Sequence, residues 1–349
     1  MTNRPAVILS TFPPLPCGIA RYAAQHVEYL RRQGREVHTV GLPGSTAEAV
    51  VDARGGRRPL DVLAATRHLG LDPATCELSI HWHDGHYFAG GFSERIPTAL
   101  ALASLFGSFG QTELICHETY VAETVASVPK RILRSVYNRA RYRAWMSADR
   151  LAFHSENERK QAEHALGRPF PASKVIIRGH SAFLLKYRDL SREAARAELG
   201  IDPAALLFLC IGFLSEHKGF HLAVEAFSRL EATSARLAIV GSIREDGPDV
   251  RDYVARLRAL AGATDRVEMH EEFVSDEAYD IWNAAADVIV APYQRAFSSG
   301  VVARAKLFGK PVIVTNVGGL ADQADAGDRV IQSADELVDA MQSFLAGVP

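Results

Sequence analysis

The 349-residue sequence has only four cysteines, Cys17, Cys76, Cys116 and Cys210, and none forms a C-x-x-C pair. A disulfide frame and a cysteine-based zinc site are therefore excluded, and reduced thiols in a cytoplasmic protein are expected. No apolar run reaches transmembrane length, and residues 1–4 lead straight into a strand pattern, so neither a spanning helix nor a secretory signal is expected. The G-x-G-x-x-G fingerprint is missing and no suitably placed acid follows the second strand, which argues against a dinucleotide-dependent dehydrogenase. No D-x-D-like acidic cluster stands beside either glycine turn, so no metal or other cofactor is expected. No basic-aromatic platform is present, and nucleic acid is not an expected partner.

What remains is an ordinary globular composition, 48% hydrophobic and 23% charged, in a chain long enough to require two cores. Charge is unevenly spread. Residues 1–185 hold 22 Lys+Arg against 16 Asp+Glu, whereas residues 186–349 hold 17 against 25. A basic front half suits an anionic partner, either a phosphorylated acceptor or an anionic membrane surface.

The most informative stretch is Asp287 to Leu320. Val288–Ala291 and Pro311–Val314 read as buried strands, and the spacing of Val301, Ala305 and Phe308 predicts a helix between them, stopped by Gly309. Strand, helix and strand make a parallel α/β unit, with Phe297-Ser298-Ser299-Gly300 at the strand's carboxyl end and the helix N-terminus. Free N–H groups and the positive end of the helix dipole suit phosphate there, although a Ser N-cap turn is the plainer reading of the residues alone.

Earlier in the chain, Ala6–Leu9 is a strand leading through Cys17-Gly18 into a helix over about 19–33, and Val37–Leu42 is the next strand. Leu78 to His86 carries His81, His83 and His86 with Asp84. This nearly matches the H-x-H-x-D-H pattern of metallo-β-lactamase-like hydrolases, but Asp84 stands one place early and a strand end is the better reading. The strand Glu113–Cys116 delivers His117 and Glu118 to a sheet's carboxyl edge, where open α/β sheets bind ligands. Lys130 to Trp145 reads as an amphipathic helix, with Leu133, Val136, Tyr137, Ala140 and Ala144 on its apolar face and Lys130, Arg134 and Arg141 as a basic stripe. It is either a solvated outer helix or a contact with anionic lipid. Leu206–Ile211 opens a second α/β unit, and Lys218 falls on its first strand-to-helix loop, placed to neutralise a phosphate.

Two α/β units that each begin at a Gly turn predict two Rossmann-like domains facing a central cleft. The divisions expected are residues 1–183, residues 184–330 and a closing helical segment 331–349. The motifs Phe12-Pro13-Pro14, Cys17-Gly18-Ile19-Ala20-Arg21-Tyr22, Gly212-x5-Lys218-Gly219, Ile239-Val240-Gly241, Val274-Ser275-Asp276-Glu277 and Gly309-Lys310-Pro311-Val312-Ile313 occur in that order over nearly the whole chain. On these residues the sequence resembles the GT-B glycosyltransferases of the retaining family-four kind (glycosyl transferases group 1).

That resemblance implies a retaining hexosyltransferase that needs no metal. It would move a sugar from a nucleotide-diphosphate donor (UDP or GDP) to a carbohydrate, lipid-linked or small-molecule acceptor, in cell-envelope or exopolysaccharide synthesis. The N-terminal domain would hold the acceptor and the C-terminal domain the donor. His117 and Lys218 carry over as catalytic residues. Gly18, Phe213, Lys218, Gly219, Glu272, Phe273, Ser298, Ser299, Gly300, Val301 and Arg304 carry over at the donor, and Arg21, His83, His86 and Glu118 at the acceptor. Phe213 replaces the family's frequent arginine, and Ala296 and Arg304 stand where two glutamates are common. Those departures leave two alternatives open: an inactive sugar-nucleotide-binding subunit, or a sugar-nucleotide epimerase on the same architecture. The expected location is cytoplasmic, with peripheral contact at the inner face of the membrane through the Lys130–Trp145 helix.

Overall fold

The structure, a computed structural model, describes residues 4–15, 17–117, 127–231, 234–244, 246–296 and 298–345. The chain divides into two compact units, residues 1–183 and 184–349.

In the N-terminal unit the strands are β1 (Ala6–Ser10), β2 (Val37–Gly41), β3 (Ala49–Val50), β4 (Glu77–Trp82), β5 (Gln111–Cys116), β6 (Arg150–Phe153) and β7 (Val175–Ile177). They form one sheet in the order β3-β2-β1-β4-β5-β6-β7, and every pairing is parallel. Parallel strands are covered on both faces, which explains why β1 and β4 are buried at every position instead of alternating. The C-terminal unit repeats the scheme with β8 (Leu206–Ile211), β9 (Ala235–Gly241), β10 (Val267–Glu271), β11 (Val288–Ala291), β12 (Val312–Thr315) and β13 (Arg329–Ile331). Their order is β10-β9-β8-β11-β12-β13, again all parallel. Each unit is a doubly wound, Rossmann-like α/β domain.

Parallel strands put all their carboxyl ends on one edge. The connection direction reverses between β1 and β4 in one unit, and between β8 and β11 in the other. Loops part at such a switch point and leave a crevice there. The loops after β8 and β11 are those that carry Lys218 and Ser299.

One buried ionic knot ties the start of the C-terminal unit to its sheet. Arg196, fully buried, donates to the carbonyls of Ala285, Asp202, Pro203 and Ala205 and to Asp287. Asp287 also accepts from Arg192 and from the Leu207 N–H at the head of β8. The closing helix, Leu337–Leu345, buries Leu337 and Met341 in this unit's own core.

The segment predicted over 130–145 is a longer helix, Val128–Ser147, and its faces differ from the expectation. Arg141 is not part of a solvated stripe. It is buried, donates to Asp84 Oδ1 at 2.9 Å and lies over the Trp145 ring. Val136, assigned to the apolar inner face, is exposed together with Val128 and Ile132. Helical spacing alone does not show that Asp84, from another element, waits on the inner face.

Candidate functional site

At the switch point of the C-terminal unit, β8 ends at Ile211 and the chain turns at Gly212, whose φ is +134°. Glycine is required twice in this turn region. A side chain at Gly241, at the end of β9, would meet the Gly212 carbonyl oxygen at 1.8 Å. Gly219, with φ +66°, lies so close to the loop that follows β11 that a Cβ would meet the Pro292 oxygen at 2.1 Å. That close approach brings the Lys218 side chain beside the β11 loop.

The Lys218 ammonium lies 3.9 Å from the centre of the Tyr293 ring, just past β11. Among the described residues it has no carboxylate partner, and loss of water pushes its pKa down to about 8. The half-buried ammonium rests on an aromatic face without a counter-charge, an arrangement able to take an anion.

Tyr293 links this lysine to the next helix. Its hydroxyl lies 3.5 Å from Ser299 Oγ, and Ser299 caps the helix Gly300–Leu307 by accepting from the Val302 N–H. Gln323 clamps the Ser299 peptide from behind: its Oε1 accepts from the Ser299 N–H at 2.7 Å, and its Nε2 donates to the Ser299 carbonyl at 3.0 Å. Thr315 at the end of β12 donates to the Tyr293 carbonyl. The Ser299 amide is therefore already used. Among the described residues the helix-opening N–H groups of Gly300 and Val301 have no acceptor, and a Cβ at Gly300 would have nothing within 4 Å. Sequence reasoning missed Tyr293 and Gln323, whose roles depend on three strand ends meeting.

The other residues expected at the donor are spread over the loops of this unit. Glu272 and Phe273 follow β10, and the Phe273 ring is 62% exposed. Phe213 has the Arg244 guanidinium, from the loop after β9, 5.9 Å from its ring centre. Ser298 immediately precedes the helix cap. Arg304 has another task. Buried on the helix Gly300–Leu307, it binds Asp280 at 2.6 Å and Asp276 at 3.3 Å, while Asp280 also accepts from the Tyr187 and Arg188 N–H groups. The donor-edge position expected for Arg304 is thus replaced by an inward ion pair that anchors the helix.

In the N-terminal unit, Gly18 opens the helix Gly18–Arg32 after β1, and Arg21 follows one turn on. His83 caps the short helix Asp84–Tyr87 after β4, accepting at Nδ1 from the Gly85 N–H, and His86 lies within that helix. Trp82 and Arg141 both donate to Asp84, so that carboxylate is structural. His117 follows β5 and is 7% exposed; its two ring nitrogens are held by His81 and His154. The ring as it stands turns no nitrogen toward a ligand, contrary to the catalytic contact that the resemblance implies. Glu118 lies outside the described residues. Among the described residues no group of three or more His, Cys, Asp or Glu is arranged to hold a metal ion.

The doubly wound pair of units is the fold of the GT-B glycosyltransferases. Along its whole length it is similar to sucrose-phosphate synthase from Thermosynechococcus elongatus (TM-score 0.67, 18% identity, 99% of this chain and 90% of that one). It is also similar to Anabaena HepE in complex with UDP and glucose (TM-score 0.63, 14% identity, 98% and 90%).

Within that class, residues 205–347, which lie in the C-terminal unit, match the family of glycosyl transferases group 1. Among curated proteins the chain is 27% identical to a D-inositol 3-phosphate glycosyltransferase of Rhodococcus erythropolis, over 87% of this chain and 72% of the relative. It is 31% identical to the enzyme of that name from Rhodococcus opacus, over 52% of this chain but only 41% of the relative. Sugar transfer is the activity that the names of these relatives share.

Proposed function

We propose that this chain transfers a sugar, with retention, from a nucleotide-diphosphate donor to a saccharide, lipid-linked or small-molecule acceptor, in the synthesis of an envelope or exported glycan. The observation that carries the reading is the Lys218 ammonium, desolvated over Tyr293 at a sheet switch point beside an open helix N-terminus. Such a site attracts a diphosphate. Lys218 and the Gly300 and Val301 amides would stabilise the charge that develops on the leaving diphosphate as the sugar bond breaks, without a metal ion. Electrostatic stabilisation of the leaving group and positioning of the acceptor carry the catalysis, and the diphosphate itself takes the acceptor's proton. UDP is the first donor base to try, because HepE was solved with UDP and glucose.

Incubating the protein with a panel of UDP-, GDP- and ADP-sugars and acceptors, and following the anomeric proton of the product by NMR, tests this. A product with the donor's anomeric configuration supports it. An isomerised donor sugar without acceptor would favour the epimerase, and binding without turnover would favour the inactive subunit.

The helix Val128–Ser147 carries six basic residues and no acidic one, and with Arg141 buried the other five remain around the exposed stripe Val128, Ile132 and Val136. We propose that this face makes peripheral contact with an anionic membrane, with the enzyme working at the inner surface of the cell membrane. Among the described residues no helix is long and apolar enough to cross a membrane. Flotation with phosphatidylglycerol vesicles should carry the protein, and Ile132→Glu should leave it in the soluble fraction. Equal flotation of both proteins would remove the assignment.

A further inference from the structure

The carboxyl edge of the N-terminal sheet holds a series of imidazoles that the proposed chemistry does not use. His26 Nδ1, on the helix after β1, lies 3.1 Å from His81 Nε2. His81 Nδ1 lies 2.8 Å from His117 Nε2, and His117 Nδ1 lies 3.3 Å from His154 Nε2. The series ends where His154 Nδ1 reaches the Arg178 carbonyl at 3.0 Å. Four rings from one helix and three strand ends are thus joined head to tail, each no more than 7% exposed.

The last contact determines all the others. A carbonyl only accepts, so His154 carries its proton on Nδ1 and donates it to Arg178. In a neutral imidazole the other nitrogen is then bare, so His154 Nε2 must accept from His117 Nδ1–H. The same step repeats through His81 to His26. All four rings are Nδ1–H tautomers, and every bond donates in one direction.

Burial keeps the rings neutral, and it lowers the pKa of each. The groups facing the series are Tyr22 and Arg35 from the front of the unit, Arg178 in its two-pronged pairing with Glu113, Glu158, His180 and His86. Arg178 and the neighbouring imidazoles oppose any added positive charge, and the Glu158 carboxylate is occupied by the His154 N–H.

We propose that His154 is a positioning residue for this array: its anchor on the Arg178 carbonyl imposes one tautomer on His117, then His81, then His26. Control runs one way, from the β6 end toward the β1 helix. This inference stands independently of sugar transfer, because its readout is the tautomer and not turnover.

Long-range 1H–15N spectra of the full chain, labelled at histidine and recorded at pH 7.5, test it directly. Four histidines should show protonated Nδ1 and bare Nε2, whereas solvent-exposed histidines favour the Nε2–H form. In His154→Phe, His117, His81 and His26 should all lose the fixed Nδ1–H pattern. In His81→Phe only His26 should be released, and His117 should keep its tautomer. A merely structural role would disturb both sides of a cut alike. An Nε2–H tautomer at His81 or His117 in the parent protein overturns the proposal, even if neither variant folds. So does a change at His117 in His81→Phe, or an unchanged His117 in His154→Phe.

Discussion

Acidification should unfold the N-terminal unit well before it would unfold an average domain. His26, His81, His117, His154 and His180 all have pKa values held below the ordinary 6.5, chiefly by burial, with His81 at about 3 and His154 at about 4. These rings stay neutral in the folded protein, while in the unfolded chain they take up protons below pH 6.5. Unfolding therefore binds protons, and stability falls as pH drops from 6.5 toward 4. At pH 5.5, one unit below the unfolded value, each such histidine costs roughly 1.4 kcal/mol of stability, so five cost roughly 7 kcal/mol. That is comparable to a whole domain's stability of roughly 5–15 kcal/mol. His38 acts the other way: burial lowers its pKa, but hydrogen bonds to Glu36 and Glu48 outweigh that and raise it. It sits near the surface between those carboxylates, so its compensation is small. Urea unfolding followed by near-ultraviolet circular dichroism at pH 7.5, 6.5 and 5.5 measures the effect. Equal midpoints at all three pH values would refute the neutral, buried assignment of the cluster.

Gly300→Val should fold normally, because its Cβ enters open space, yet lose at least ten-fold in UDP affinity by isothermal titration, while Ser299→Ala keeps most of it because the Gly300 and Val301 amides survive. Arg304→Ala should lose about 3–5 kcal/mol in denaturant unfolding, since Asp280 would be left as a buried charge without its cation; a loss under 1 kcal/mol would contradict the anchoring role. Turnover in excess chelator should match turnover in magnesium or manganese, and restoration of a lost rate by either ion would contradict a lysine-held diphosphate.

The alternation of β-branched runs with glycine stops made the strand-helix-strand order legible. The loops bearing Lys218 and Ser299 were therefore legible in the sequence as strand-end loops. What escaped depended on partners far away in the chain. Arg141 looked solvated because Asp84 is 57 positions away, and Arg304 looked available because Asp280 lies on another helix. The histidine array was invisible for the same reason, since positions 26, 81, 117 and 154 meet only when parallel strand ends are brought to one edge. A signal was present nonetheless: β5 and β6 are each followed directly by a histidine, and the stretch after β7 reaches one at His180.

The central claim is that Lys218 holds the diphosphate, and calorimetric titration of UDP into the parent and Lys218→Ala proteins tests it most directly. A charge-assisted contact of roughly 1.5–3 kcal/mol predicts a loss of about 10- to 150-fold in affinity with an unchanged urea midpoint. Because the free lysine has a pKa of about 8, parent affinity should also weaken as pH rises from 7 to 9, and the variant should lack that dependence. Equal UDP affinity in the two proteins at pH 7 would contradict the account.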